Sequence, residues 1–166
     1  MALTKLNNQS LTAVTSAGLP VSPVSAGSVL QTVAATYATE TSITSTTGGS
    51  GTSTGLSVTI TPTSTSNKLL INYCGYFRLA THAAPALSVE FHDGSSVVAA
   101  DTQWGIYING DGNEHNNRWR YPFMAYITPA STNAITYTVR AWKDGNDAWA
   151  QFQSGPSTIS IQEIKG

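Results

Sequence analysis

Leu56-Ser57-Val58-Thr59-Ile60-Thr61-Pro62 is the stretch that decides the fold, because its apolar side chains occupy every second position until the proline. Strict alternation in β-branched residues is typical of a strand with one buried face, and a proline ends such a strand. The same alternation recurs at residues 119–127, 135–141 and 157–164. These patterns predict an all-β chain.

Turn residues separate the predicted strands at intervals of 8 to 15 residues. The glycine-rich residues 48–51 are interpreted as a flexible turn, and Asp93-Gly94 predicts a hairpin. Residues 68–79 form the longest apolar stretch and predict a central strand covered on both faces. Nine or ten strands without a normal amphipathic helix indicate an antiparallel β-sandwich, jelly-roll-like, over residues 29–166. A barrel is the alternative that the sequence leaves open.

Composition sets further limits. Of 166 residues, 17 are charged and the net charge is −1, so nothing in the charge favours nucleic acid as a partner. Residues 1–67 contain only Lys5 and Glu40 among the charged residues. No apolar run approaches the roughly 18 residues of a membrane span, so no membrane partner is expected. Ser and Thr together number 42, and strands so rich in hydroxyls supply little core. Such a chain gains stability by burying sheet faces against copies of itself.

Residues 1–28 have no hydrophobic period, and Pro20 and Pro23 interrupt any helix. We expect this segment to be an extended N-terminal arm that orders against a partner, with a flexible tail as the alternative. Its candidate anchors are the apolar residues spaced along it: Leu3, Leu6, Leu11, Val14, Leu19, Val21 and Val24.

No pattern of catalytic residues emerges. His82, His92 and His115 show none of the spacings of metal sites and are interpreted as surface or turn residues. No GxSxG motif occurs, and the single Cys74 is expected inside a buried strand. We therefore expect no cofactor, no metal and no enzymatic activity.

One loop has oxygen-bearing side chains at alternate positions, Asn109-Gly110-Asp111-Gly112-Asn113-Glu114. Calcium loops use such spacing, but the sixth position here is Glu114 rather than glycine. A long hairpin loop is the favoured interpretation, and ion binding is the alternative.

The four tryptophans lie in the second half of the chain. Trp119 is in phase with apolar neighbours and is expected in the core. Trp142 is in phase with polar residues, and Trp149 and Phe152 are expected on opposite faces of a strand. Trp142 and Trp149 are the candidates for contact with a partner protein or a glycan, because exposed tryptophan fills such sites.

Four segments together resemble a group of tailed-bacteriophage virion proteins found in phages of aquatic bacteria: residues 1–6, 28–33, 56–71 and 159–164. Members are small β-sandwich modules, usually homotrimers, on the outside of the particle. The resemblance implies a virion-surface structural protein whose partners are its own copies and the major capsid protein or other virion proteins. Residues 80–155 match no pattern of the group.

Two structural roles remain open at this point. A capsid decoration, or cement, protein would clamp the head lattice with its arm, whereas a tail-fibre head domain would bind a receptor or glycan. A fibre normally needs a shaft of coiled coil or repeats, and no such segment occurs in these 166 residues. The sequence therefore favours decoration.

Overall fold

The computed structural model describes residues 24–80, 86–102, 104–107, 116–144 and 147–166. Eleven strands occur in this described part. They are β1 (Val29–Tyr37), β2 (Thr41–Ile43), β3 (Thr52–Ile60), β4 (Lys68–Ala80), β5 (Ala86–His92), β6 (Val97–Ala100), β7 (Ile106–Tyr107), β8 (Asn116–Ile127), β9 (Ile135–Asp144), β10 (Ala148–Ala150) and β11 (Ser157–Ile164). A 3-10 helix spans Phe152–Ser154. No helix within the described ranges has the length and hydrophobicity to cross a membrane.

The strands form two antiparallel sheets. In sheet 1 the order is β1-β11-β4-β10-β2, with β8 paired to the other side of β4. In sheet 2 the order is β3-β9-β5-β6, with β7 also paired to β5. When the eight longest strands are counted along the chain, the orders are 1-8-3-6 and 2-7-4-5. This strand order is that of the jelly roll. The predicted antiparallel β-sandwich is therefore confirmed, and the alternative of a barrel does not apply.

The core lies between the two sheets and is built by the alternating strands. β3 and β9 bury every second residue, and β4 does so along its whole length. Tyr73 packs edge-on against both Phe77 and Phe91, and these rings join the two sheets at the centre. Aromatic pairs in this geometry add about 0.5–1.5 kcal/mol beyond the area that they bury.

The strand with both faces covered is β5, not the predicted residues 68–79. All seven residues of β5 are buried. The outer positions of β4 are only half-buried, and Cys74 is one of them rather than a core residue. The sequence interpretation was wrong here because the apolar stretch of β4 lies in a sheet whose outer face is covered by no second layer among the described residues.

The cover over β5 is the glycine-rich segment that was expected to be a flexible turn. The backbone amides of Gly49 and Gly51 donate to the buried Glu90 carboxylate, at 2.7 and 2.9 Å. A Cβ at Gly51 would lie 2.9 Å from Glu90 Oε1 and 3.1 Å from the Ala141 carbonyl oxygen, so the close approach requires glycine. The turn is therefore held against the outer face of sheet 2.

A second buried carboxylate holds the segment between β3 and β4. Glu163 on β11 accepts hydrogen bonds from the Gln31 and Asn67 side chains, at 2.6 and 2.7 Å, and from the Thr63 amide and hydroxyl, at 2.7 and 2.9 Å. Burial alone would raise the pKa of Glu163, but these donors outweigh it and lower the pKa to about 2. This group is fully ionised at neutral pH and fixes the loop to the last strand.

Candidate interaction surface

In sheet 1 a short gap separates β10 from β11, and a matching gap separates β1 from β2. The segment in the first gap forms the surface that distinguishes this face. β10 and β11 lie one after the other along β4, with register partners at residues 77–79 and 68–74. Between them, Gln151, Gln153 and Ser154 have left-handed backbone angles, with φ of 52°, 50° and 60°. Such angles in non-glycine residues cost about 1 kcal/mol or more each. The excursion places Phe152 on the outer side of the sheet, beside Trp149.

The interruption is tied at both ends. The Gln151 amide donates to the Tyr76 carbonyl oxygen at 2.7 Å, and the Tyr76 amide donates to the Ser157 hydroxyl at 2.9 Å. The Gln153 amide donates to the Glu40 carboxylate at 2.8 Å, which links it to the matching interruption between β1 and β2. These bonds fix the backbone that carries Phe152.

Two arginines stack on the projecting ring. The Arg78 guanidinium carbon lies 4.4 Å from the Trp149 ring centroid and 4.8 Å from that of Phe152. The Arg118 guanidinium carbon lies 5.3 Å from the same Phe152 centroid. Arg78 and Arg118 are direct register partners on β4 and β8, where like charges normally destabilise a sheet. The shared ring lowers the free energy of this pair through cation–π contacts.

A third arginine extends the row. Arg120 stacks on Tyr76, with 4.8 Å from its guanidinium carbon to the ring centroid, and donates to the Pro156 carbonyl oxygen. Gly155 also lies against Tyr76, and a Cβ at this position would overlap the ring. We call the six residues of this row the arginine–aromatic cluster: Tyr76, Arg78, Arg118, Arg120, Trp149 and Phe152.

The same outer face becomes apolar toward the other end of β8. Met124 and Tyr126 alternate in phase with Arg118 and Arg120, and they are 68% and 60% exposed. Pro122 lies between the two halves and is also exposed. Arginine, methionine and aromatic residues without carboxylates are the composition of the core of a protein–protein interface.

The two predicted contact tryptophans have different environments. Trp149 belongs to the arginine–aromatic cluster and lies 6.2 Å from Phe152 between ring centroids, so the two are not on opposite faces. Trp142 is half-buried against Trp104, at 4.4 Å between centroids, and beneath Gly48. The Gly48–Gly51 turn therefore covers a residue that the sequence alone places on an open polar face.

Trp119 was expected in the core and is 44% exposed. It follows the inward phase of β8 but, together with Tyr107, lines a cleft of about 340 Å³ between β7 and β8. Beneath that cleft the Tyr121 hydroxyl donates to the Asp101 carboxylate. Burial raises the pKa of Tyr121, and the Asp101 carboxylate raises it further.

Of the predicted arm anchors, Val24 alone falls within the described residues. It is 46% exposed and lines a cleft of about 430 Å³ with Leu30 and Lys165. The other six, Leu3, Leu6, Leu11, Val14, Leu19 and Val21, lie outside the described residues. Within the predicted arm, the Gly27 amide donates to the Lys165 carbonyl oxygen at 2.8 Å, so the end of the segment is joined to the sandwich.

The remaining candidates for chemistry are dispersed or undescribed. His92 is buried at the end of β5, where its Nδ1 accepts from the Gly94 amide at 3.0 Å, so it is a turn residue but not a surface one. His82, His115 and the loop Asn109–Glu114 lie outside the described residues. Within the described ranges no three His, Cys, Asp or Glu residues are grouped as metal ligands would be.

Comparison with known proteins gives a fold similarity without a sequence family. No protein-family model matches the chain, and no curated protein matches it. A VP2 subviral particle structure of infectious bursal disease virus is 16% identical, with a TM-score of 0.45 over 84% of this chain and 34% of that chain. The structure of the Gx strain of that virus is 14% identical, with a TM-score of 0.45 over 83% of this chain and 33% of that one. The chain thus spans about a third of the length of the chains that it resembles.

Proposed function

We propose that this chain is a non-enzymatic virion structural protein, of the capsid decoration type, located on the virion surface. The observation that carries the proposal is the open outer face of sheet 1 on a jelly-roll domain. Jelly rolls serve in viral capsids, lectins and cupins. This domain exposes arginines, aromatic residues and Met124 on a sheet face. Such a face is suited to contact with a protein lattice.

The proposed assembly is a homotrimer whose arms, residues 1–28, clamp the major capsid protein. The anchors spaced from Leu3 to Val24 would contribute about 1–2 kcal/mol each when buried. Three arms from one trimer bind together, so that dissociation requires the release of all three. No cofactor, nucleic acid or membrane takes part in this function.

Copy number per particle tests the proposal. Quantitative mass spectrometry of purified particles should find hundreds of copies, whereas a few tens or fewer would place the protein in a tail and contradict decoration. Light scattering of the β-domain starting at Ser28 should give three times the chain mass. Deletion of residues 2–27 should leave that trimer intact and abolish its binding to particles. Full occupancy by the truncated trimer would contradict the role of the arm.

A tail-fibre head domain is the second candidate function, and the position of Trp149 favours it. This ring lies against Arg78 on the outer face of sheet 1, and tryptophan and arginine are enriched among the residues that dominate binding. Loss of adsorption to host cells, with intact and stable heads, in a particle carrying Trp149→Ala would support this candidate.

A further inference from the structure

The outer face of sheet 1 combines two chemistries along a single strand. Arg118 and Arg120 project from one half of β8, and Met124 and Tyr126 project from the other half on the same side. Side chains two residues apart on a strand are separated by about 6.6–6.8 Å, so each half offers two contact points to a partner.

The cationic half of this row, Arg118 and Arg120, is suited to binding carboxylates. An aromatic ring lies against the guanidinium group of each arginine, and both residues are exposed, although Arg120 also donates one hydrogen bond to the Pro156 carbonyl oxygen. Carboxylates bind guanidinium at its N–H edge, often through two hydrogen bonds. Within the described ranges no carboxylate forms an ion pair with either of these two arginines, while Lys143 does pair with Asp147, at 3.6 Å.

The apolar half identifies the class of partner. Met124 and Tyr126 are among the most exposed large apolar residues of the described chain, and they continue the row of arginines without a carboxylate between them. Arg120 already stacks on Tyr76, and the exposed thioether of Met124 offers an adaptable apolar contact of the kind that protein-binding surfaces use. A protein surface can fill both halves, with carboxylates at one end and apolar side chains at the other.

The edge of β8 is protected against strand addition. Among the described residues β8 pairs only with β4. Pro122 lacks an amide donor, and Arg118 and Arg120 place charge before it, and these are two ways in which edge strands avoid pairing. A partner therefore contacts the face of the sheet and not its edge.

We propose that the outer face of sheet 1 docks an acidic, partly apolar surface of a partner protein. Its carboxylates would contact Arg118 and Arg120, and its apolar side chains would contact Met124 and Tyr126. The inference rests on the proposed function only in locating that partner in the particle. The docking chemistry itself follows from the surface.

Three probes test the docking chemistry: a synthetic peptide of alternating Glu and Leu, a Glu/Ser peptide of the same charge, and polygalacturonate. Binding is measured by tryptophan fluorescence at low ionic strength. We expect the Glu/Leu peptide to bind most tightly. Arg118→Glu should weaken both peptides by about tenfold, because repulsion replaces attraction. Met124→Ser should weaken the Glu/Leu peptide alone.

The matched control is Lys165→Glu, which makes the same change in net charge at the opposite end of β4. Arg118→Glu should keep the native melting temperature, because the introduced carboxylate would lie directly across from Arg78. If Arg118→Glu and Lys165→Glu weaken peptide binding equally, the effect is due to net charge alone and the proposal is overturned. Polygalacturonate binding as tightly as the Glu/Leu peptide would overturn it in favour of a glycan. If the protein binds the peptide but is absent from purified particles, the docking surface is supported and the virion role is refuted.

Discussion

The outer faces of the two sheets differ in whether a segment of the described chain covers them. On sheet 2, residues 48–51 cover β5, and the Glu90 carboxylate holds them through two backbone amides. On sheet 1, no described segment covers β8, and the side chains that stand there are arginines, Met124 and Tyr126. The proposed contact surface therefore lies on the sheet face that no described segment covers. The predictions below test this difference, beginning with the largest effect.

Removal of the carboxylate under the cover should have the greatest effect on stability. Glu90→Ala leaves the Gly49 and Gly51 amides without their acceptor and leaves Arg140, the register partner of Glu90, beside an apolar side chain. We expect a loss of about 3 kcal/mol in the free energy of unfolding, measured by urea denaturation. Trp142 fluorescence should shift to longer wavelength as the cover opens. The control Ser50→Ala, at an exposed side chain of the same turn, should change little. A Glu90→Ala protein as stable as the control would show that the cover is not held by this residue.

The second buried carboxylate gives a pH-dependent effect. The pKa of Glu163 is lowered from 4.5 to about 2, so this group stabilises the fold above pH 4.5. That contribution, up to about 3 kcal/mol, is lost as the pH falls from 4.5 toward 2. Urea denaturation of the wild type and of Glu163→Gln across this range isolates it, since other carboxyl groups titrate in both proteins. The difference between the two proteins should shrink as the pH falls, and a constant difference would contradict the assignment.

A methyl group under the cover should have a moderate effect. Gly51→Ala brings a Cβ to 2.9 Å from Glu90 Oε1, so the turn has to move away from sheet 2. We expect a loss of about 1–2 kcal/mol in the free energy of unfolding. Protection of the Gly49 amide from hydrogen exchange should fall at the same time. Unchanged protection would mean that the turn accommodates the methyl group without opening.

Truncation on the open face should have the smallest effect on stability. Phe152→Ala removes the ring on which Arg78 and Arg118 both stack. We expect a loss of about 1 kcal/mol in the free energy of unfolding, measured by thermal denaturation. The same variant should weaken binding of the Glu/Leu peptide, because both guanidinium groups lose their support. If Phe152→Ala destabilises the protein as much as Glu90→Ala does, the stability of sheet 1 depends on its outer face as strongly as that of sheet 2 depends on its cover. That result would contradict the difference between the two faces.

Local patterns were sufficient to predict the long strands, although nine or ten strands were expected and the described part of the chain contains eleven. The bounds of β11 and the start of β1 follow from alternation and turn residues, and Asp93-Gly94 does form the hairpin between β5 and β6. In that turn, the Asp93 carboxylate accepts from the Ser95 and Ser96 amides at 2.9 and 2.7 Å. Contacts of this kind span a few residues, so the sequence specifies them directly.

The surface could not be predicted in the same way, because distant segments create it. The cover on β5 joins residues about 40 positions apart, and the meeting of Arg78 with Arg118 depends on the register of β4 and β8. The position of Phe152 depends on left-handed angles that its neighbours do not favour. Trp119 keeps the inward phase of its strand but lines an open cleft. The one sequence feature that indicated the cationic half was the pair of arginines at alternate positions of β8, Arg118 and Arg120.

The interruption between β10 and β11 has a consequence for engineering. The ladder with β4 resumes on either side of it. At its base the Gln151 amide donates to the Tyr76 carbonyl oxygen, and the Tyr76 amide donates to the Ser157 hydroxyl. Residues 152–154 can therefore be exchanged for other short sequences while both flanking ladders keep their register, with Gly155 retained because a Cβ there would overlap the Tyr76 ring. A library confined to these positions would vary the recognition properties of the surface on a constant scaffold.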